Sequence, residues 1–447
     1  MKTVIIGAGC AGLSAAYTLQ KHGADVVLLE KESVAGGRMQ HQFHDGFHMD
    51  MGSQFVHEGY DTAARLLDEL GLTGEITDLD MSRVKMWRDG RWWYSQPSGS
   101  LRDRINSLRW LLKFGLKGAR NLKRLLDTSA SLDGMNVSNT DWMLDLDTED
   151  FASYVRREFG EDVLEYFVQP IMGGIALDHP ENCGKAFGLA IMYAIANADT
   201  AVLRQGTGQL ARHLEARVAK KAEVLTNTPA RRIVIENGRV RGVETDQGFI
   251  EATHIICGAT ATKALDILPD LPDVMRSALS CVTYAPAVNV VLAVDTLMSK
   301  GGASGGMVPR KSGYPISAIL YNSAKSKAMV PEGCDSINVF FYGQSVHEML
   351  AMSDEEITRE TVRILRDICP DPLPTQIRFS NIARWPEANY AMPQGAAAAI
   401  NRMRKSHYRD VTGLFLCGDY MYTGAYESAL TSGVNAAEAA LDLRETI

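Results

Sequence analysis

Apolar positions fall into two patterns from the start of the chain, short unbroken runs and helix-spaced stripes, with glycine between them. Lys2-Thr3-Val4-Ile5-Ile6 is an apolar, β-branched run that reads as a buried parallel strand. Gly7-Ala8-Gly9-Cys10-Ala11-Gly12 follows, then a helix-forming stretch carrying Leu13, Ala16, Tyr17 and Leu19. That stretch stops at Lys21-His22-Gly23, with cations in its last turn and a glycine cap. Asp25-Val26-Val27-Leu28-Leu29 is a second strand-like run, closed by Glu30. Together these pieces make a complete βαβ unit.

The same two periods continue downstream. Residues 62–70 read as an amphipathic helix ending at Gly71. Residues 84–94 read as a hairpin with Asp89-Gly90 as its turn. Trp87, Trp92, Trp93 and Tyr94 flank that turn, which fits ordinary packing and a chamber wall equally well. Residues 151–160 and 162–170 are two helical runs, divided by Gly160 and expected to stop at Pro170. Residues 205–219 predict a helix, 224–228 a strand, and Asn237-Gly238 a type I′ hairpin turn. Residues 255–259 predict a buried strand. A second sheet is expected from runs at 288–295, 316–320 and 337–342, covered by a helix at 355–367. Residues 301–306 read as a flexible glycine loop. Residues 414–419 form a strand ending in an acid, and 428–437 a helix of small residues.

Totals narrow the class. The chain has 447 residues, 46% of them hydrophobic and 22% charged, with net charge −8. Two to three domains are expected, and no nucleic-acid partner. Seven cysteines without a CxxC pair argue against a disulfide framework and a zinc site, and for a cytoplasmic protein. The apolar start carries the glycines, so it is expected to belong to the fold and not to a signal peptide. Residues 101–124 stand apart, with eight Lys or Arg against one Asp. Ile105, Leu108, Leu112, Leu116, Ala119 and Leu122 recur at helical spacing there, predicting a basic amphipathic helix, or a pair broken near Gly115 or Gly118. Such a helix could touch an anionic membrane surface peripherally or steer an anionic substrate. The expectation adopted is a solvated helix whose apolar face covers the core, because the segment is short of interfacial Trp and Phe.

The chemistry starts at the glycines. Gly7 permits the tight turn, Gly9 lets backbone approach a pyrophosphate, and Gly12 lets the helix pack on the sheet. Glu30 can accept from a ribose diol and would repel a 2′-phosphate. Gly36-Gly37-Arg38 adds a second glycine turn, with an arginine able to reach the pyrophosphate.

With Asp50-Met51-Gly52-Ser53-Gln54-Phe55, this arrangement resembles the amine-oxidase and protoporphyrinogen-oxidase superfamily of flavoproteins. The resemblance implies FAD. Cofactor contacts are implied at Gly7, Ala8, Gly9, Cys10, Ala11, Gly12, Glu30, Lys31, Gly36, Gly37, Arg38, Gly52, Ser53, Gln54 and Phe55. Further contacts are implied at Ala230, Gly258, Trp385, Gly418, Asp419, Ala425, Tyr426 and Ala429. The implied fold is mixed α/β, with a discontinuous Rossmann-like FAD-binding domain at 1–80, 205–287 and 405–447. A hairpin and helical insert would occupy 81–204, and a substrate domain of mixed sheet plus helices 288–404. Arg156-Arg157, Phe159-Gly160 and Pro170 resemble the helical domain of protoporphyrinogen oxidases, while Glu181-Asn182-Cys183-Gly184 departs from it.

The resemblance to monoamine oxidases fails at three places. Ala388 and Ala425 stand where that branch keeps two caging tyrosines, with Tyr390 and Tyr426 offset. The covalent-flavin cysteine is missing, so FAD is expected to be non-covalent. The lysine beside the flavin is missing at Val288-Asn289-Val290. Trp385, Asn289, Tyr390 and Tyr426 are the flavin-facing candidates, and Arg83, Lys85 and Ala388 the substrate candidates. No metal is expected. The implied reaction is oxidation of a C–N or C–C unit of a small, mostly apolar substrate, protoporphyrinogen-oxidase-like, with oxygen or another electron acceptor. Alternatives are an amine or amino-acid oxidase, a carotenoid-type desaturase, and a non-catalytic carrier resembling the Rab GDP-dissociation inhibitors.

Overall fold

The computed structural model describes residues 2–57, 59–79, 84–94, 100–132, 135–197, 200–298, 303–369 and 372–442. A five-stranded parallel sheet runs in the order Glu223–Leu225, Asp25–Leu29, Lys2–Ile6, His254–Cys257, Leu414–Leu416. Lys2–Ile6 lies at its centre, because Val4, Ile5 and Ile6, with the small Thr3, can be buried on both faces. The predicted βαβ unit is present, with a helix at Cys10–Lys21. That helix crosses the long last helix, Tyr426–Asp442. Gly433 marks the crossing, since a Cβ there would lie 2.1 Å from Ala11 O. Ser14 Oγ donates to Leu430 O across it at 3.0 Å.

The predicted hairpin at Asn237-Gly238 is the first turn of a three-stranded meander, Ala230–Glu236, Arg239–Thr245 and Gly248–Glu251. Both turn residues have positive φ, 52° and 70°, as a type I′ turn requires.

The second sheet has seven strands in the order Phe379–Tyr390, Tyr284–Val294, Asp335–Tyr342, Ile316–Tyr321, Gly305–Met307, Val84–Arg88, Arg91–Tyr94. Helix Asp354–Ile368 covers one face, packing Ile357, Ile364 and Leu365 on Val288, Val290 and Leu292. The hairpin expected in the insert is thus hydrogen-bonded into the sheet of the substrate segment. Likewise, the 287/288 boundary falls inside strand Tyr284–Val294, and 404/405 inside helix Ala396–Asp410.

Two local expectations are corrected. Gly305 and Gly306 are strand residues, not loop, and the Trp92 ring lies 2.2 Å from where a Cβ on Gly306 would stand; residues 301–302 lie outside the described residues. Pro170 does not stop its helix. A π-helical turn at Leu164–Val168 precedes it, and Pro170 falls in the opening turn of Gln169–Ile175, where a missing N–H costs little. The hairpin aromatics are used for packing: Trp93 is buried with Trp110, and Trp92 Nε1 donates to Ile368 O.

Residues 101–124 do form two helices, Leu101–Leu112 and Gly115–Ala130, broken at Gly115 with φ +67°. Their orientation overturns the expectation. The buried positions are Ser107, Trp110, Phe114, Leu122, Leu125 and Ser129, and most of the predicted apolar face points to solvent.

Candidate functional site

The two glycine turns meet at the carboxyl end of the parallel sheet. Gly7 has φ +91°, and a Cβ there would lie 3.0 Å from Gly258 O. On Gly12 a Cβ would lie 1.8 Å from Gly7 O. The chain's own packing therefore demands glycine at 7 and 12. Gly9 is different: the nearest atom to its built Cβ is Gly37 Cα at 4.0 Å. Among the described residues nothing excludes a side chain there.

Gly9 caps helix Cys10–Lys21 without a side-chain hydrogen bond, and the first turn holds no acid. Its amides are left for an anion. Glu30 is buried beside them, accepting from the Ala8 N–H at 2.7 Å and the Glu32 N–H at 2.9 Å. Gly36 N–H donates to Ala8 O at 2.8 Å, which clamps the second glycine turn to the first. Thr228 N–H donates to Glu30 O at 2.8 Å and brings the start of the meander, Ala230, toward the acid. Lys31 is exposed and pairs with Glu32.

Arg38 reaches the last motif. Its two terminal nitrogens donate to the two Asp419 carboxylate oxygens, both at 2.7 Å, and Nη1 also donates to Ala388 O at 3.3 Å. Burial opposes the guanidinium charge, but Asp419 outweighs it and holds the Arg38 pKa above its usual range. Gly418 N–H donates to Ser432 Oγ at 2.9 Å, which ties this strand end to the last helix. Ala425 and Ala429 lie at the start of that helix, joined by a backbone hydrogen bond.

The stretch from Asp50 to Phe55 forms a hub. Asp50 is 1% exposed and accepts from Thr207 N–H and Gly208 N–H, both at 3.0 Å, so it caps helix Gly208–Val218. Lys325 Nζ lies 3.2 Å from Asp50 Oδ2 and 2.8 Å from Gln54 Oε1. Burial pushes the Asp50 carboxyl up, yet Lys325, His41 and Gly208 N–H bring it below its ordinary value; burial pushes Lys325 down. Asn289 Nδ2 donates to Asp50 O and Met51 O, each at 3.2 Å, and Trp385 Nε1 to Met51 O at 2.9 Å. These two candidates use their donors to hold the stretch in place. Gly52 is forced, since a Cβ would lie 2.0 Å from Arg38 O. Ser53 O accepts from Thr207 Oγ1 at 2.6 Å, and the Phe55 ring faces Lys325 Nζ at 6.0 Å.

Tyr390 is buried and Tyr426 half-buried, and among the described residues neither hydroxyl has a hydrogen-bond partner. Tyr390 lies 6.4 Å from the Tyr284 ring and Tyr426 packs edge-on to Tyr60 at 5.2 Å. Lys85 sits on the hairpin with its Nζ 5.0 Å from the Tyr94 ring; Arg83 lies outside the described residues. Lys325 and Glu427 are the contributors that sequence reasoning missed. Glu427 caps helix Asp61–Glu69 through Thr62 N–H and Ala63 N–H, at 2.7 and 2.9 Å. Neither residue has a local signal, because their partners are hundreds of positions away.

An uncapped helix start between two glycine turns, an acid closing the next strand, and an open face at Gly9 fit a dinucleotide. The parallel sheet, the βαβ unit and the paired glycine turns place the chain in the Rossmann class of folds. The chain belongs to the flavin containing amine oxidoreductase family, whose profile matches residues 10–441, and is accordingly a flavin-dependent enzyme. It is 21% identical over 460 residues to coproporphyrinogen III oxidase of Bacillus subtilis, spanning 93% of this chain and 92% of that protein. Mitochondrial protoporphyrinogen oxidase of Nicotiana tabacum is 30% identical over 208 residues, which are 43% of this chain and 38% of that protein. In fold, the chain matches a crystal structure of a putative protoporphyrinogen oxidase from Exiguobacterium sp. 255-15, with TM-score 0.78, 20% identity and 99% of both chains covered.

Proposed function

We propose that the chain holds FAD without a covalent link and oxidises a C–C or C–N unit of a mostly apolar substrate, a porphyrinogen-type tetrapyrrole before an amine, with molecular oxygen as acceptor. The observation that carries this reading is the uncapped helix end beside Gly9, faced by Glu30 and the Gly36-Gly37 turn. A pyrophosphate answers the free amides, and ribose hydroxyls can donate to Glu30. Bound there, the flavin supplies a two-electron acceptor; position and dryness come from the chain. Arg38 and Asp419 fix each other at the junction of the first and last motifs. Asp50, Asn289 and Trp385 fix the 50–55 stretch.

A non-covalent cofactor agrees with the state of the nearby thiols. Burial pushes Cys10 up to about 12 and Cys257 to about 11, so both stay protonated and unreactive. All seven cysteines are free, which supports a reducing, cytoplasmic setting. The substrate reading rests on Ala388 and Ala425, which leave out the paired tyrosines of the amine-oxidase cage, and on relatives named for porphyrinogen oxidation.

Anaerobic titration of the purified yellow protein tests it. Coproporphyrinogen and protoporphyrinogen should bleach the visible flavin absorption, while primary amines and amino acids should not. Bleaching by an amine alone would move the protein to the amine-oxidising branch. Acid precipitation should release all of the FAD into the supernatant.

A further inference from the structure

The helix Leu101–Leu112 carries its apolar residues on the wrong side for a helix that covers a core. Leu101, Ile105, Leu108 and Leu112 follow the spacing i, i+4, i+7, i+11 and therefore share one face. All four are exposed, at 74, 44, 57 and 58%, and Leu116 at the head of the next helix is 88% exposed. The opposite face, with Ser107 and Trp110, is buried. On a 100° wheel, Arg104 borders the exposed stripe on one side, and Arg109, Arg102 and Lys113 on the other. Lys113 pairs with Asp89 at 2.9 Å. Among the described residues, Arg102, Arg104, Arg109, Lys117 and Arg120 form no ion pair.

We propose that this face docks on an anionic lipid surface, with the helix lying in the plane of the interface. A large outward apolar stripe on one element is costly to leave in water. Its border of arginines suits lipid phosphates, and their long stems reach past the apolar face while the charge stays in the headgroup layer. Charge also favours lipid over a second copy of this chain. The segment holds eight Lys or Arg against one Asp, so two such faces would repel each other, while the whole chain has net charge −8. This side would be drawn to an anionic surface and the remainder, net acidic, pushed away, which sets the orientation. The interaction is peripheral, as no helix among the described residues is long and apolar enough to cross a membrane.

Co-sedimentation of the full chain with vesicles tests the proposal, using phosphatidylcholine alone and phosphatidylcholine mixed with phosphatidylglycerol. Binding should require phosphatidylglycerol and fall steeply with added salt. The double variant L108E/L112E should weaken binding at least about tenfold, and R104E/R109E should do the same. Both leave buried residues untouched, so their melting temperatures should match the parent. L108S/L112S, which removes apolarity without adding negative charge, should give an intermediate loss, and K220E on another surface should bind as the parent does. The proposal fails if the parent ignores phosphatidylglycerol vesicles or if L108E/L112E binds as well as the parent. It also fails if light scattering shows a dimer that L108E/L112E dissolves, because the face would then belong to a second copy.

Discussion

Lys325 Nζ and Asp50 Oδ2 lie 3.2 Å apart with both side chains 1% exposed. They join the short helix Asn322–Lys325 to the strand end at Asp50 against one face of the substrate sheet. Asp50 is also the cap of helix Gly208–Val218, so three distant segments depend on one carboxylate. Removing one member of such a pair leaves an uncompensated charge away from water. Lys325→Met should therefore destabilise the fold by ~3–5 kcal/mol, read as a lower midpoint in urea unfolding. The double variant K325M/D50N should recover part of that loss, because the orphaned charge is gone. Equal midpoints for K325M and the parent would show the pair to be dispensable.

Arg38 and Asp419 form the other long-range pair. Their two parallel hydrogen bonds set the second glycine turn against the last strand end. Asp419→Asn keeps the shape but leaves one of the two bonds without a matching acceptor. The variant should retain FAD at least about tenfold less tightly, measured by quenching of flavin fluorescence on titration into apoprotein. Unchanged affinity would show that Arg38 and Asp419 serve the fold alone.

The βαβ unit, its glycines and the type I′ turn were legible because their determinants are local: runs of one period, a cap, a turn dipeptide. Five strands of the seven-stranded sheet were legible, as separate runs, whereas Gly305–Met307 was read as loop and Phe379–Tyr390 was not foreseen. The order of the sheet was not legible, since Gly305–Met307 accepts residues 84–86 as a parallel neighbour through contacts that no nearby residue announces. The outward face of 101–112 was misread for a related reason. Spacing shows that Ile105, Leu108 and Leu112 share a face, but only packing shows that Trp110, on the other side, is the residue buried. Lys325 was invisible because an isolated lysine carries no sign of its buried carboxylate.

His57 gives the fold a pH dependence of definite sign. Burial pushes its pKa from 6.5 down to about 4. Below pH 6.5 the unfolded chain binds a proton that folded His57 refuses until about pH 4. Stability should therefore rise with pH across that window, and acidification from 6.5 toward 4 should cost ~2–3 kcal/mol at this site. His48, also held near 4 by burial and by His41, adds to the same slope. In thermal melts from pH 4 to 7, His57→Gln should flatten the dependence without abolishing it. A slope identical to the parent's would place the acid sensitivity elsewhere.

Gly9 and Gly12 separate the ligand's demands from the fold's. A Cβ on Gly12 would lie 1.8 Å from Gly7 O, a backbone atom that cannot yield, so Gly12→Ala should destabilise by ~3 kcal/mol or more. A Cβ on Gly9 meets nothing closer than Gly37 Cα at 4.0 Å, and Gly9 has φ −77° and ψ −176°, which alanine adopts freely. Gly9→Ala should therefore melt within ~0.5 kcal/mol of the parent. What the methyl group would occupy is the space a pyrophosphate needs over the helix end. The folded Gly9→Ala protein should accordingly purify colourless and bind added FAD at least about tenfold more weakly. If it purifies fully yellow, the anion does not sit against Gly9 and the cradle has been placed wrongly. If Gly9→Ala unfolds instead, the glycine answers to the fold after all.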